Sequence, residues 1–332
     1  MTSPRMTQPG HYNNQHSPKF CCIILFRFLL LLFPRQVSSA PLTISTSTCA
    51  AETNSLAYVH NNSHNQEPRK LMRAWMCHGR THREMIDKLA SAGIVKSPVN
   101  IEALLKVDRK NYVLNKDYAY EDSPQPIGYG ATISAPHMHA HVLEDLLPPL
   151  MKASHDNPEK PLRILDVGCG SGYLTAVFGR MVERKPKSMS HMNILNDGKV
   201  FGIDVVPQLV ELSRKNILKE DRDLLDSGIV EVMTRDGWKG YPEGGPYNAI
   251  HVGAAAETFP KELMKQMALG GVMVIPVGPD GGIQYLYRVE RVGDAGDIAG
   301  VNDSKGFHED DFKAFRVLGV RYVPLVRAES RD

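Results

Sequence analysis

The residues best suited to chemistry lie in the stretch Ile164-Leu-Asp-Val-Gly-Cys-Gly-Ser-Gly-Tyr173. Glycines at 168, 170 and 172 let a ligand approach the main chain and supply dihedrals that other residues resist. Alone, such a run reads equally well as a structural turn. Dinucleotide sites use G-x-G-x-x-G, with a helix N-terminus facing a pyrophosphate. Here the position that pattern needs as its third glycine is Tyr173. Asp166, two residues before the first glycine, would repel a pyrophosphate and suits a cation. S-adenosylmethionine carries a sulfonium and an ammonium, so an acid beside this loop favours that cofactor, acting through water or the amino group.

Two further acids follow the same logic. Asp204 ends the segment Phe201-Gly-Ile-Asp204, where a carboxylate at a strand tip can hydrogen-bond ribose hydroxyls. Its distance in sequence from Gly172 exceeds the roughly 20 residues usual in dinucleotide folds. The polar, aperiodic stretch 183–196 reads as an insertion that absorbs the excess. Asp236-Gly237 follows the apolar run Ile229–Met233, and a carboxylate there can accept from an adenine amino group. Each acid alone reads equally as a turn or helix cap. Three acids ending three consecutive strands, in register with a glycine loop, make a shared cofactor site the better reading.

Elements that can position these residues are legible from Trp75 onward. Thr81-His-Arg-Glu84 is a capping box, followed by Met85, Ile86 and Leu89 at helical spacing and a stop at Gly93. Residues 100–107 form a second amphipathic helix, and 137–147 a third that halts at Pro148-Pro149. Strands are expected at 163–167, 199–203, 229–233, 247–252, 271–277, 283–292 and 316–326, with helices at 173–182, 208–219 and 260–267. Alternation of this kind predicts an α/β fold: a doubly wound, mostly parallel sheet with helices on both faces.

The first 71 residues differ from the rest and read as a poorly ordered extension. An apolar run from Phe20 to Phe33 is short of the roughly 20 residues a membrane span needs. It is closer to a signal-peptide apolar region, with Lys19 before it and Ser38-Ser-Ala40 as a small-residue cleavage site. Arg27 inside the run and Pro41 after the cut count against that. Residues 41–70 read as linker, and Met72 offers an internal start. The domain is expected at 72–326, with a short tail at 327–332.

Lys and Arg number 39 against 37 for Asp and Glu, a formal charge of +2, which gives no electrostatic case for a nucleic-acid partner. With 42% apolar and 23% charged residues, a sizeable core is available and wholesale disorder is excluded. The five cysteines follow neither disulfide nor zinc spacing, so no metal is expected.

From Trp75 to Leu325, about three quarters of the chain, the sequence resembles the protein-L-isoaspartate (D-aspartate) O-methyltransferases. The resemblance rests on Asp122-Ser-Pro-Gln-Pro-Ile-Gly128, Ala131-Thr-Ile-Ser-Ala-Pro-His-Met-His139, the glycine loop, Gly202-Ile-Asp204 and Asp236-Gly237. It rests also on Tyr247-Asn-Ala-Ile-His-Val-Gly-Ala-Ala-Ala256, Ile275-Pro-Val-Gly-Pro279 and Tyr322-Val-Pro-Leu325. The loop alone says only methyltransferase, whereas the 131–139 and 251–256 segments are specific to this family. The resemblance implies the Rossmann-like, S-adenosylmethionine-dependent methyltransferase fold and methylation of isoaspartyl residues in aged proteins as the first step of their repair. Three departures stand out: Cys169 where Ser is usual, a longer 183–196 stretch, and Val326 where Thr usually follows Tyr-Val-Pro-Leu.

The reaction so implied needs no general base, because a side-chain carboxylate has a pKa near 4 and is ionised at pH 7. Alignment and exclusion of water lower the barrier. Ser134, in the loop before the helix at His137, is the catalytic candidate: its hydroxyl can orient the incoming carboxylate. The alternative is that it merely caps that helix. The cofactor set is expected to be Ala131, Thr132, Ile133, Ser134, His139, Asp166, Gly168, Gly170, Gly172, Asp204, Asp236 and Gly237. The substrate is expected at Ile127, Val252, Gly253 and Ala254. Residues 122–124 and 127–130 are expected to cover the cofactor. A monomer in the cytoplasm is expected, since S-adenosylmethionine is made there; the secretory pathway follows instead if residues 1–40 act as a signal. Expected partners are isoaspartyl proteins, without nucleic acid or stable membrane association. Three readings compete: an NAD(P)-dependent oxidoreductase, a non-enzymatic adaptor that keeps the cofactor domain, and a methyltransferase for nucleic acids or small molecules.

Overall fold

A computed structural model describes residues 76–183, 195–293 and 309–328. The extension 1–71 with its apolar run, most of the 183–196 stretch and the end of the 327–332 tail lie outside them. No helix among the described residues is long and apolar enough to cross a membrane.

Seven strands make one sheet: β3 (Leu162–Val167), β4 (Gly198–Asp204), β5 (Val230–Thr234), β6 (Tyr247–Val252), β7 (Met267–Val277), β8 (Gln284–Arg291) and β9 (Phe312–Val320). Their order is β5-β4-β3-β6-β7-β8-β9. The first five run parallel, while β8 and β9 are antiparallel to their neighbours. Alternate residues point to opposite faces, so each strand feeds two cores. Ile164, Val200, Ala249 and Val274 serve one core, and Leu165, Phe201, Ile250 and Met273 the other.

Helices α1 (His82–Ser91) and α2 (Pro98–Lys106) precede the sheet. The expected capping box forms in part: Thr81 Oγ1 accepts from Glu84 N, while Glu84 reaches back to Arg80 N. Helix α4 (Tyr173–Val182) and strand β6 have the bounds the sequence implied, and α5 (Pro207–Glu220) begins one residue earlier. The short α6 (Arg222–Asp226) was not foreseen, and α7 (Lys261–Lys265) is shorter than expected because Met267 already belongs to β7.

Helix α3 requires a correction. It runs from Pro136 to Asp156, straight through Pro148-Pro149. Each proline costs a helix interior about 3 kcal/mol, through its missing N–H and its clash with the carbonyl four residues back. The stripe Leu143, Leu146, Leu147 and Leu150 continues unbroken across them and is buried. Burial stabilises by about 1.5–3 kcal/mol per leucine, enough to carry the helix past its prolines.

Strand order places the site. Chain connections leave β3 in one direction to β4 and β5, and return to its other side as β6. Open α/β sheets bind ligands outside the carboxyl ends of strands at such a reversal. A separate hairpin, β1 (Gln125–Gly128) and β2 (Ala131–Ile133), turns through Gly128, Tyr129 and Gly130, all with positive φ.

Candidate active site

A cavity of about 210 Å3 opens at the reversal, among Gly168, Gly170, Asp204, Gly237, Gly253 and Ala254. Every one of these follows or ends a parallel strand. The hairpin residues Tyr129 to Thr132 form one rim, and the C-terminal segment Val323 to Val326 the other. That segment is tied down as a short strap. Ala255 N donates to Val323 O and Leu325 N to Ala255 O, both at 2.8 Å, and Trp238 Nε1 donates to Leu325 O at 2.8 Å. A wider groove of about 890 Å3 lies away from the glycine loop, at the amino ends of the strands near Leu162 and Leu269. The smaller cavity is the one with convergent polar groups at strand tips, so it is the candidate.

The glycine loop is built for close approach. Gly168, Gly170 and Gly172 have φ of 76°, 52° and 82°. A Cβ on Gly172 would meet Ser213 Oγ at 2.4 Å, so this glycine serves helix packing at the start of α4. A Cβ on Gly253 would meet Gly168 O at 3.0 Å, so two bare main-chain segments face each other in one wall.

Asp204 sits at the tip of β4. One carboxylate oxygen accepts from Gly170 N at 3.1 Å and the other from Val206 N at 3.0 Å. The two bonds hold the group at the cavity. Val206, Leu209 and Leu325 supply apolar wall beside it. An anchored carboxylate at the cavity, bare main chain and an apolar slot form a donor and acceptor set that fits the ribose, chain and adenine of S-adenosylmethionine. Asp236 lies further back: its oxygens accept from Trp238 N at 2.9 Å and Ala328 N at 3.4 Å, while Gly237 lines the cavity.

Asp166 departs from its expected place. It is buried beneath the loop and does not line the cavity. His251 Nδ1 donates to it at 2.7 Å, and Thr175 Oγ1 donates to its other oxygen. Strand register explains this: Asp166 pairs with His251 on β6, and both side chains point to the face that α4 covers. Val252 and Ile127 also turn inward, each into a core, leaving Gly253 and Ala254 at the cavity. Ile127 still bounds the loop, since a Cβ on Gly170 would lie 3.2 Å from its Cδ1. Ala131 and Thr132 line the cavity, and Ile133 is buried beneath them.

Ser134 links the hairpin to α3. The helix takes Ala135 as its N-cap, with no side-chain capping bond, and Pro136 in its first turn. Asp122 does the capping from a distance: His137 N and Nδ1 donate to its Oδ1 at 3.0 and 2.7 Å, and Cys77 N donates to Oδ2 at 3.3 Å. The Ser134 hydroxyl is thereby released from the capping role that the sequence left open. Its side chain hydrogen-bonds with Tyr322, whose pKa burial pushes up to about 12 against that bond. Tyr322 is fixed by Gln284, which accepts from Tyr322 N at 2.7 Å.

Two side chains at the site escape sequence reasoning. Arg109 is wholly buried and donates to Ser134 O at 2.9 Å. It stands among charged residues that read as surface, so no pattern marks it. Asp122 was read as part of a cover; the missing N-cap side chain before Pro136 is the signal for a remote acceptor. His139 is buried, 5.1 Å from the Tyr173 ring centroid. Burial first, and then the charge of Arg109, hold its pKa well below the usual histidine value. Cys169 is buried too, and burial followed by the charges of Asp204 and Asp166 pushes its thiol up, so it is no nucleophile.

A family model described as Protein-L-isoaspartate(D-aspartate) O-methyltransferase matches residues 80–330. The chain is 42% identical over 219 residues to a protein-L-isoaspartate O-methyltransferase of Caenorhabditis elegans, covering 66% of this chain and 88% of that protein. It is 40% identical over 253 residues to one from Methanopyrus kandleri, covering 76% and 93%. A Plasmodium falciparum chain described by the same activity, solved with S-adenosyl-L-homocysteine, superposes with a TM-score of 0.58 at 29% identity, covering 75% of this chain and 99% of that one. The match runs through the hairpin, the glycine loop and the strap alike, and the chain belongs to the protein-L-isoaspartate(D-aspartate) O-methyltransferase family.

Proposed function

We propose that the chain methylates the free carboxylate of L-isoaspartyl, and of D-aspartyl, residues in damaged proteins and so initiates their repair. S-adenosylmethionine, when bound, supplies a methyl group on an electrophilic sulfonium. The observation that carries the proposal is that Ser134, released from capping by Asp122, follows directly on the hairpin whose Ala131 and Thr132 line the cavity, with its side chain against Tyr322. Its hydroxyl and neighbouring main chain orient an incoming carboxylate without neutralising it. Neither His139, kept neutral, nor Cys169, kept protonated, supplies a base, and an ionised carboxylate needs none. Asp204 anchors ribose hydroxyls. Gly253 and Ala254 leave room for a peptide main chain, with the Tyr129 hairpin above.

The test uses the full chain, S-adenosylmethionine labelled with tritium in the methyl group, and two peptides differing only in an isoaspartyl or aspartyl linkage. Base-labile label should appear on the isoaspartyl peptide alone. Equal labelling of both peptides, or of neither, refutes the proposal.

We further propose a cytoplasmic location, supported by the cytosolic supply of the methyl donor, and, as the default state, a monomer. Sedimentation at twice the single-chain mass, or a mature N-terminus cut after Ala40, would overturn its respective half.

A further inference from the structure

Arg109 occupies the short turn Arg109–Asn111 and is among the largest fully buried side chains of the described residues. Its guanidinium donates to Ser134 O at 2.9 Å, reaches His139 Nδ1 at 3.4 Å, and lies 5.5 Å from the Tyr173 ring centroid. No carboxylate among the described residues forms an ion pair with it, and its Nε has no hydrogen-bond partner. Asp122 favours the charge from a distance but makes no ion pair with it. Burying a cation without a direct ion-pair partner costs several kcal/mol, and a well-packed neutral side chain would serve stability better. The position therefore calls for a reason other than packing.

The reason follows from the donor inventory. A guanidinium only donates. The His139 Nδ1 facing it must accept, which places the ring proton on Nε2. A proton on both nitrogens would set a second cation against Arg109, with His137 and His251 also nearby and the Tyr173 ring tilted at 46° against it. The same guanidinium pins the Ser134 carbonyl from inside the fold, while Tyr322 meets the Ser134 side chain from the strap. His139 Nε2–H takes no partner among the described residues, so a donor of fixed direction stands one helical turn beyond Ser134.

We propose that Arg109 is a positioning residue for methyl transfer: it clamps the Ser134 main chain and holds His139 as the neutral, Nε2-protonated tautomer. This rests on the reading of Ser134 given above.

The experiment combines ring nitrogen-15 spectra of the full chain, with His139 assigned by His139→Gln, and kinetics on the isoaspartyl peptide. Wild type should show a protonated Nε2 and a bare Nδ1 across about pH 5 to 8. Arg109→Gln, whose amide can face either tautomer, should mix the two and lower kcat about tenfold or more. KM for S-adenosylmethionine should stay within about twofold. Arg109→Lys, which donates only, should restore the single tautomer and part of the rate. A protonated Nδ1 in wild type overturns the proposal whether or not any variant folds. A folded Arg109→Gln protein with wild-type kcat overturns it as well. Wild type that methylates no isoaspartyl peptide fails differently: it removes the reading of the site, whatever the His139 spectrum shows.

Discussion

Asp166 and His251 face each other across adjacent strands, carboxylate oxygen to Nδ1 at 2.7 Å, in the buried layer beneath the cavity. Thr175 closes the second oxygen. Asp166→Ala would strand two buried polar groups, and breaking a buried pair on one side costs about 3–5 kcal/mol. The variant should lose about that much stability in urea unfolding. Its affinity for S-adenosylhomocysteine, measured on the folded fraction, should fall less than that of Asp204→Ala. Wild-type stability would show that the pair does not hold the strand tips.

Asp204 is the acid that reaches the cavity. Asp204→Ala removes the acceptor for Gly170 N and Val206 N as well as the expected ribose contact. Calorimetric affinity for S-adenosylhomocysteine should weaken by more than about 1 kcal/mol, the scale of a lost charge-assisted hydrogen bond. Unchanged affinity removes the ribose assignment.

The contrast between these two acids shows what sequence can convey. Both end apolar runs, and the charge argument treats them alike. Only strand order reveals that Asp166 pairs with His251, which lies on a strand far along the chain. The parallel strands and α4 were legible because period-2 and period-3.6 patterns are local. The turn of β8 to antiparallel was foreshadowed by a gap from β7 too short for a crossover helix, a signal in spacing rather than in residue type. The β1–β2 hairpin was missed because it depends on three consecutive positive φ values, one of them at Tyr129. The glycine loop and the Ser134 loop were legible as motifs. Arg109 was not, because a buried arginine among exposed charges leaves no periodic trace.

Ser134→Ala should separate binding from turnover. The hydroxyl touches Tyr322 and the place where a carboxylate would be oriented, while the Asp204 anchor stays intact. Turnover on an isoaspartyl peptide should fall at least about tenfold with S-adenosylhomocysteine affinity within about twofold. Tyr322→Phe should cause a smaller loss in the same direction. Equal turnover by Ser134→Ala and wild type would remove Ser134 from the reaction.

Asp122 gives the fold a dependence on pH whose sign can be worked out. Burial pushes its carboxyl upward, but hydrogen bonds from the His137 ring and main chain and from Cys77 N outweigh this, and the folded pKa lies below the ordinary value. The folded protein therefore takes up a proton at this group less readily than the unfolded chain. The stability from the group is complete above the unfolded pKa of about 4, and is lost as pH falls through the folded value. The lost stability is local to the start of α3, where Asp122 caps the helix that follows Ser134. Urea midpoints measured from about pH 6 down to about pH 3 should fall more steeply for wild type than for Asp122→Asn, which has no proton to gain. Parallel curves for the two proteins would show that the cap does not depend on the charge.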